Sequence, residues 1–143
     1  MPIKVAIADD HAIVREGIRA LLARWSREIT VAGEVSDGKS LLELAAKAPA
    51  DVYVLDIAMP GLNGIETAAR LARLDKNARI IYLSMYNDKP TVQKALEAGA
   101  RGYLLKENAG EDIVKAIRAV YAGGYYLSAP LAPLMPELLR PAA

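Results

Sequence analysis

The sequence predicts an α/β fold, a parallel β-sheet with helices on both faces. Two observations carry that expectation. Short apolar runs alternate with stretches whose apolar residues recur at helical spacing, five of each without insertion. Several of those runs are also nearly continuous in Val, Ile and Leu, as strands covered on both faces require.

Taken in order, Ile3 to Ala8 reads as the first strand and ends in Asp9, Asp10 and His11. Val14, Ile18, Leu21, Leu22 and Trp25 then mark one face of a first helix. Thr30 to Val35 is short and partly polar, as an edge strand should be. Asp37-Gly38 turns the chain into a second helix striped by Leu41, Leu44 and Ala45 and closed by Pro49. Val52 to Leu55 is the third strand; it delivers Asp56 to its end, and Pro60-Gly61 stops the chain. Asn63 is expected to cap a third helix with Glu66 as its capping-box partner, and Ile65, Ala68, Ala69 and Ala72 inside.

Arg79 to Leu83 is a fourth strand ending at Ser84, and Val92, Ala95 and Leu96 mark a fourth helix stopped by Gly99. Gly102 to Leu105 is a fifth strand ending at Lys106, and Ile113, Ala116, Ile117 and Val120 stripe a fifth helix closed by Gly123-Gly124. Residues 1–127 form the expected domain. From Ser128 to Ala143, four of the chain's eight prolines fall within sixteen residues, among leucine and alanine. That composition reads as a linker, in which Pro136 could open a short helical turn through Leu139, while the leucines equally allow a strip docked on the domain.

Composition narrows the classes. The 143 residues suit one domain, and 53% hydrophobic with 24% charged residues is the globular norm. A net charge of +1 gives no electrostatic reason to propose nucleic-acid binding by this chain. There is no cysteine, hence no disulfide, thiolate nucleophile or cysteine metal site. No apolar run approaches the ~18 residues of a membrane span, and Met1 leads straight into a strand. The expected setting is the cytoplasm, with no membrane partner.

The residues just past the strands are Asp9 and Asp10, Asp56, Ser84 and Lys106. Open α/β sheets place their ligands at that edge. Clustered carboxylates raise one another's pKa unless a cation sits among them, and hard oxygen donors suit Mg²⁺, with Mn²⁺ the alternative. A divalent ion with a lysine ammonium is how proteins hold a phosphoryl group. Ser84 has no evident base, whereas a carboxylate needs none, so Asp56 is the expected acceptor, forming an aspartyl phosphate. In this reading Asp10 and Asp56 hold the metal, Asp9 holds it through water, and Lys106 and Ser84 grip the phosphoryl oxygens.

Each residue also has a plainer reading. Asp9 and Asp10 could cap the first helix, Lys106 could be a solvated lysine, Ser84 a strand-end hydroxyl and Tyr103 a core aromatic. His11 is left unassigned, since a lone histidine at a helix start is usually structural.

I-A-D-D-H at Ile7–His11, V-R-E-G at Val14–Gly17 and L-D-I-A-M-P-G at Leu55–Gly61 resemble the receiver domain of two-component response regulators. N-G-I-E at Asn63–Glu66, L-S-M at Leu83–Met85 and A-G-A-R-G-Y-L-L-K at Ala98–Lys106 extend that likeness over about residues 3–124. The closest likeness is to the LuxR/NarL/FixJ branch, whose receivers precede a helix-turn-helix. The resemblance implies a flavodoxin-like (βα)5 fold with strand order 2-1-3-4-5 and the same roles for Asp9, Asp10, Asp56, Ser84 and Lys106. It adds the Ala58 backbone carbonyl as a metal ligand and Tyr103 as an aromatic that turns inward when Ser84 moves onto the phosphoryl group.

The partners so implied are a sensor histidine kinase, a second copy through the first and fifth helices, and DNA only through an output domain that this chain lacks. Many receivers follow the lysine with a cis proline; here Glu107 stands there, which disfavours cis. Separate substrate turnover is not expected. The alternatives are a stand-alone or phosphorelay receiver, and a Mg²⁺-dependent aspartyl-phosphate phosphatase. The phosphatase needs a second Asp where this chain has Ala58. A flavin or nucleotide carrier lacks its Gly-rich loop after the first strand.

Overall fold

A computed structural model of the protein describes residues 2–134. Strands β1 (Ile3–Ala8), β2 (Ile29–Val35), β3 (Val52–Asp56), β4 (Arg79–Ser84), β5 (Gly102–Leu105) and β6 (Tyr126–Leu127) form one parallel sheet in the order 2-1-3-4-5-6. The helices between them are α1 (Ala12–Ala23), α2 (Gly38–Lys47), α3 (Gly64–Leu74), α4 (Lys89–Glu97) and α5 (Ala109–Tyr121). The expected five-strand order is therefore present, with a sixth, two-residue strand added beyond β5. Two residues carry too little periodicity to be legible as a strand.

Successive strand residues point to opposite faces, and this divides the core in two. Val5, Ile7, Val52, Val54, Ile81, Leu83 and Leu104 pack with Ile18 and Leu22 of α1 and Ile113, Ile117 and Val120 of α5. Ala6, Tyr53, Leu55, Tyr82, Tyr103 and Leu105 pack on the other face with Leu41 of α2, Ala68 and Leu71 of α3, and Val92 and Ala95 of α4. The chain thus leaves β1 toward one face and β3 toward the other. The crevice between their carboxyl ends is the topological switch point.

Asp37 caps α2 by accepting from the Ser40 N–H at 2.7 Å, and Asp88 caps α4 by accepting from Thr91. Asn63 accepts from the Glu66 N–H at 2.9 Å; the return bond runs to Glu66 Oε1 from the Asn63 side-chain amide, at 2.8 Å, rather than from its backbone.

Two expectations need correction. Trp25 does not continue the buried face of α1, because the helix ends at Ala23; the ring is 42% exposed and lies 4.9 Å from the Arg118 guanidinium. On α3 it is Thr67, Ala68 and Leu71 that are buried, while Ala69 and Ala72 face solvent, since the helix turns its larger Leu71 inward.

Of the two readings of the tail, Ser128 to Leu134 follow the docked strip. They follow β6 in a 3₁₀ turn (Ala129–Leu134), with Ser128 and Leu131 buried and Leu134 partly so. Two apolar side chains and the Ser128 hydrogen bonds outweigh the proline-rich composition. The proposed turn from Pro136 to Leu139, and the rest of the linker, lie outside the described residues. Among the described residues, no helix is long and apolar enough to cross a membrane.

Candidate functional site

Each site residue is carried to the crevice by the end of a strand. Asp9 follows β1 and is wholly buried; Asp56 closes β3 and is 2% exposed. A carboxylate so enclosed needs strong partners. Asp56 Oδ1 accepts from the Ala58 N–H at 3.0 Å, and Oδ2 lies 3.1 Å from the Lys106 ammonium, which arrives from the end of β5. The same ammonium stands 3.2 Å from Asp9 Oδ2.

The loop after Asp56 is held by close backbone packing. Ile57 donates to Leu83 O at 3.0 Å and accepts from Gly64 N at 3.1 Å. A Cβ on Gly64 would meet the Asp56 carbonyl at 2.5 Å, so only glycine lets α3 start so close to the strand end.

Neither aspartate of the first pair caps α1. His11 is the N-cap residue and makes no side-chain cap bond, while Asp9 Oδ1 accepts from the His11 N–H at 2.8 Å. Both carboxylates are therefore left to the crevice. Oxygens of Asp9, Asp10 and Asp56 and a ring nitrogen of His11 all lie within 4.8 Å of one another.

Burial pushes the Asp56 carboxyl above its ordinary pKa, and the neighbouring Asp9 adds to the rise, against the pull of the Ala58 N–H and Lys106. For Lys106 burial works against the charge, but Asp56 and Asp9 outweigh it and the ammonium stays above its usual range. Asp9 Oδ2 is buried without a hydrogen bond, Lys106 being an ion-pair neighbour out of alignment. A buried carboxylate oxygen with nothing to accept, among other carboxylates, fits a hard divalent cation.

Ser84 is fully buried at the end of β4; its Oγ accepts from the Tyr86 N–H at 2.9 Å. With Lys106 it lines a recess of about 160 Å³. Tyr103 is also fully buried and donates its hydroxyl to the Tyr86 carbonyl at 2.8 Å, so its ring lies turned inward, edge-on to Tyr82. Ser84 and Tyr103 thus hold the same residue, Tyr86, by its N–H and its carbonyl.

His11 is what the reading of the sequence missed. Its Nδ1 is 3.1 Å from Asp9, 3.2 Å from Asp10, 3.8 Å from Asp56 and 3.2 Å from Lys106 Nζ. The signal was its place directly after two acids at a strand end, which a helix-start residue does not need.

The family described as response regulator receiver domain matches residues 5–118. The chain is 39% identical to the nitrate/nitrite response regulator protein NarL of Escherichia coli over 139 residues, covering 97% of the chain and 64% of that protein. It is 38% identical to the E. coli response regulator UvrY, covering 93% and 61%. The chain therefore spans just under two thirds of these relatives. Among solved structures, a LuxR-family two-component response regulator from Aurantimonas sp. superposes with a TM-score of 0.88 at 34% identity, covering 96% of this chain and 97% of that one. The isolated REC domain of RcsB from Salmonella enterica, with phosphomimetic BeF3⁻, gives 0.85 at 31%, covering 94% and 99%.

Proposed function

The chain belongs to the response regulator receiver family, in its NarL/LuxR branch, and on that premise we propose that Asp56 accepts a phosphoryl group from a sensor histidine kinase. One observation carries the assignment: a buried carboxylate that ends a central strand, paired to a lysine from two strands away, beside an acidic pair not used for capping.

The chemistry is a displacement at phosphorus. An Asp56 carboxylate oxygen forms the new P–O bond as the P–N bond to the donor histidine breaks, and the bonding pair leaves with the imidazole. Asp56 needs no base, since the fraction that reacts is already ionised. Lys106 neutralises charge on the phosphoryl oxygens, and Ser84, released from Tyr86, moves to hydrogen-bond one of them. Asp10, Asp56 and the Ala58 carbonyl are the groups that would hold Mg²⁺ or Mn²⁺, Asp9 through water. When bound, the ion would offset the negative charge that gathers between acceptor and donor.

The reading extends to the output. Displacing Ser84 frees the Tyr86 N–H, and the Tyr103 hydroxyl bonds the same residue's carbonyl, so the face around α4 and β5 repopulates with the modification. Since receivers of the branch this chain resembles precede a helix-turn-helix, the state is proposed to be read by such an output domain, which would bind DNA. α1 and α5 lie side by side on one face and would pair with a second copy. The protein acts in the cytoplasm and turns over no separate substrate. The expected domain of residues 1–127 extends, in this proposal, to Leu134.

The test is direct. Incubated with Mg²⁺ and acetyl phosphate, the protein should gain ~80 Da, one phosphoryl group, and Asp56→Asn should gain none. A gain that survives Asp56→Asn places the acceptor elsewhere.

A further inference from the structure

Lys106 follows the last residue of β5 and opens a 3₁₀ turn, Lys106–Asn108, that has no side-chain cap. The direction of its ammonium therefore depends on how Leu105 is held. On one side Leu105 is opposite Ser84 of β4. On the other, β6 ends at Leu127, opposite Tyr103, so the ladder stops two residues short of Leu105.

Ser128 completes that edge. Its N–H donates to the Tyr103 carbonyl at 3.0 Å, and its Oγ accepts the Leu105 N–H at 2.8 Å. Ser128 is itself fully buried and is braced from below by the Leu131 N–H, 2.8 Å from its carbonyl. Leu127 and Leu131 seat this strap in the same core as Tyr103 and Leu105. A serine merely starting a linker would be wet. This one stands in for the missing strand, between the aromatic that contacts Tyr86 and the lysine that meets Asp56.

We propose that Ser128 is a positioning residue for the phosphorylation of Asp56, its hydroxyl holding the Leu105 amide and thereby aiming Lys106 at the phosphoryl oxygens. The proposal rests on the reading of Asp56 as the acceptor. Reactions of this kind are sensitive to placement, and a shift of ~1 Å in a catalytic group can cost on the order of 100-fold in rate. Asp9 and Asp10 follow β1 and Asp56 ends β3, so the carboxylates of the metal site are held without Ser128, and only the neighbouring Lys106 charge links the two.

The test compares Ser128→Ala, Ser128→Thr and Leu131→Ala in the full chain. Read by mass with acetyl phosphate at saturating Mg²⁺, Ser128→Ala should phosphorylate roughly tenfold more slowly or worse. Its Mg²⁺ affinity by calorimetry should not fall below the wild type. Ser128→Thr, which keeps the hydroxyl, should recover most of the rate. Leu131→Ala loosens the strap but leaves the hydroxyl, and should lower Tm while keeping the rate within about twofold.

A wild-type rate in Ser128→Ala overturns the proposal, as does an equal slowing in Leu131→Ala, which would make the effect one of general loosening. If the wild type gains no mass at all, or gains it without Asp56, the failure belongs to the acceptor assignment and not to Ser128.

Discussion

Lys106 Nζ and Asp56 Oδ2 stand 3.1 Å apart, although fifty positions of sequence and the whole of β4 lie between their strands. Each is delivered by the carboxyl end of its own strand, so the parallel sheet, not local sequence, makes the pair. The pair is asymmetric. The aspartate is nearly enclosed, while the lysine side chain is 15% exposed and reaches in from the rim.

Replacing Lys106 with Met keeps the length and removes the charge. Phosphorylation of Asp56 by acetyl phosphate should slow by about 100-fold, the scale of one preorganised charge-stabilising group. Mass spectrometry over time measures it. Mg²⁺ affinity should hold or rise, because a competing cation has gone.

Asp56→Asn should stabilise the fold at neutral pH. Burial lifts the carboxyl's folded-state pKa above the reference value of 3.8. The folded state then keeps a proton that the unfolded chain has released. Stability therefore falls as pH rises from the unfolded value through the folded one, and stays lowered above it. Thermal unfolding should show a higher Tm for the variant at pH 7, at roughly 4 °C per kcal/mol, with the gap closing below about pH 3.8. A lower Tm at pH 7 counts against this account.

Gly64→Ala places a methyl 2.5 Å from the Asp56 carbonyl and 2.7 Å from Ile57 Cα, both backbone atoms with no rotamer to yield. Chemical denaturation should show a loss of about 1–3 kcal/mol, together with slower phosphorylation as the strand end shifts. Gly110→Ala is the control. It meets nothing within 4 Å on α5 and should be neutral or slightly stabilising.

Ala58 is exposed and its N–H binds Asp56, so a polar side chain there would stand in solvent beside the acceptor. Ala58→Asn should change the half-life of that phosphate, followed by the decay of the added mass. An unchanged half-life would sink the idea.

What the sequence made legible follows from length and periodicity. β3 reads as a buried strand because Val52 to Leu55 is unbroken, and Asp56 stands out because it ends the run. Asp9, Ser84 and Lys106 were legible for the same reason, each being the first polar residue after an apolar run, and Asp10 by standing next to Asp9. Periodicity also misled: it carried the helix face to Trp25, two residues beyond the end of α1, and counted Ala69 and Ala72 as inward, because alanine marks a face only weakly. His11 and Ser128 were less legible. Ser128 meets Leu105 from 23 residues away, and nothing local marks that; His11 had a local mark in the acids before it, but not its approach to Lys106, 95 residues on.

The strap that closes the β5 edge also bears on how such proteins can be recombined. The family match ends at residue 118, inside α5, and the glycine pair at Gly123-Gly124 invites a splice just after it. A chimera joined there would inherit Asp56 and Lys106 intact yet leave the Leu105 amide facing whatever the foreign segment supplies. The transplantable unit is therefore longer than the family's outline, and its seam belongs after Leu134.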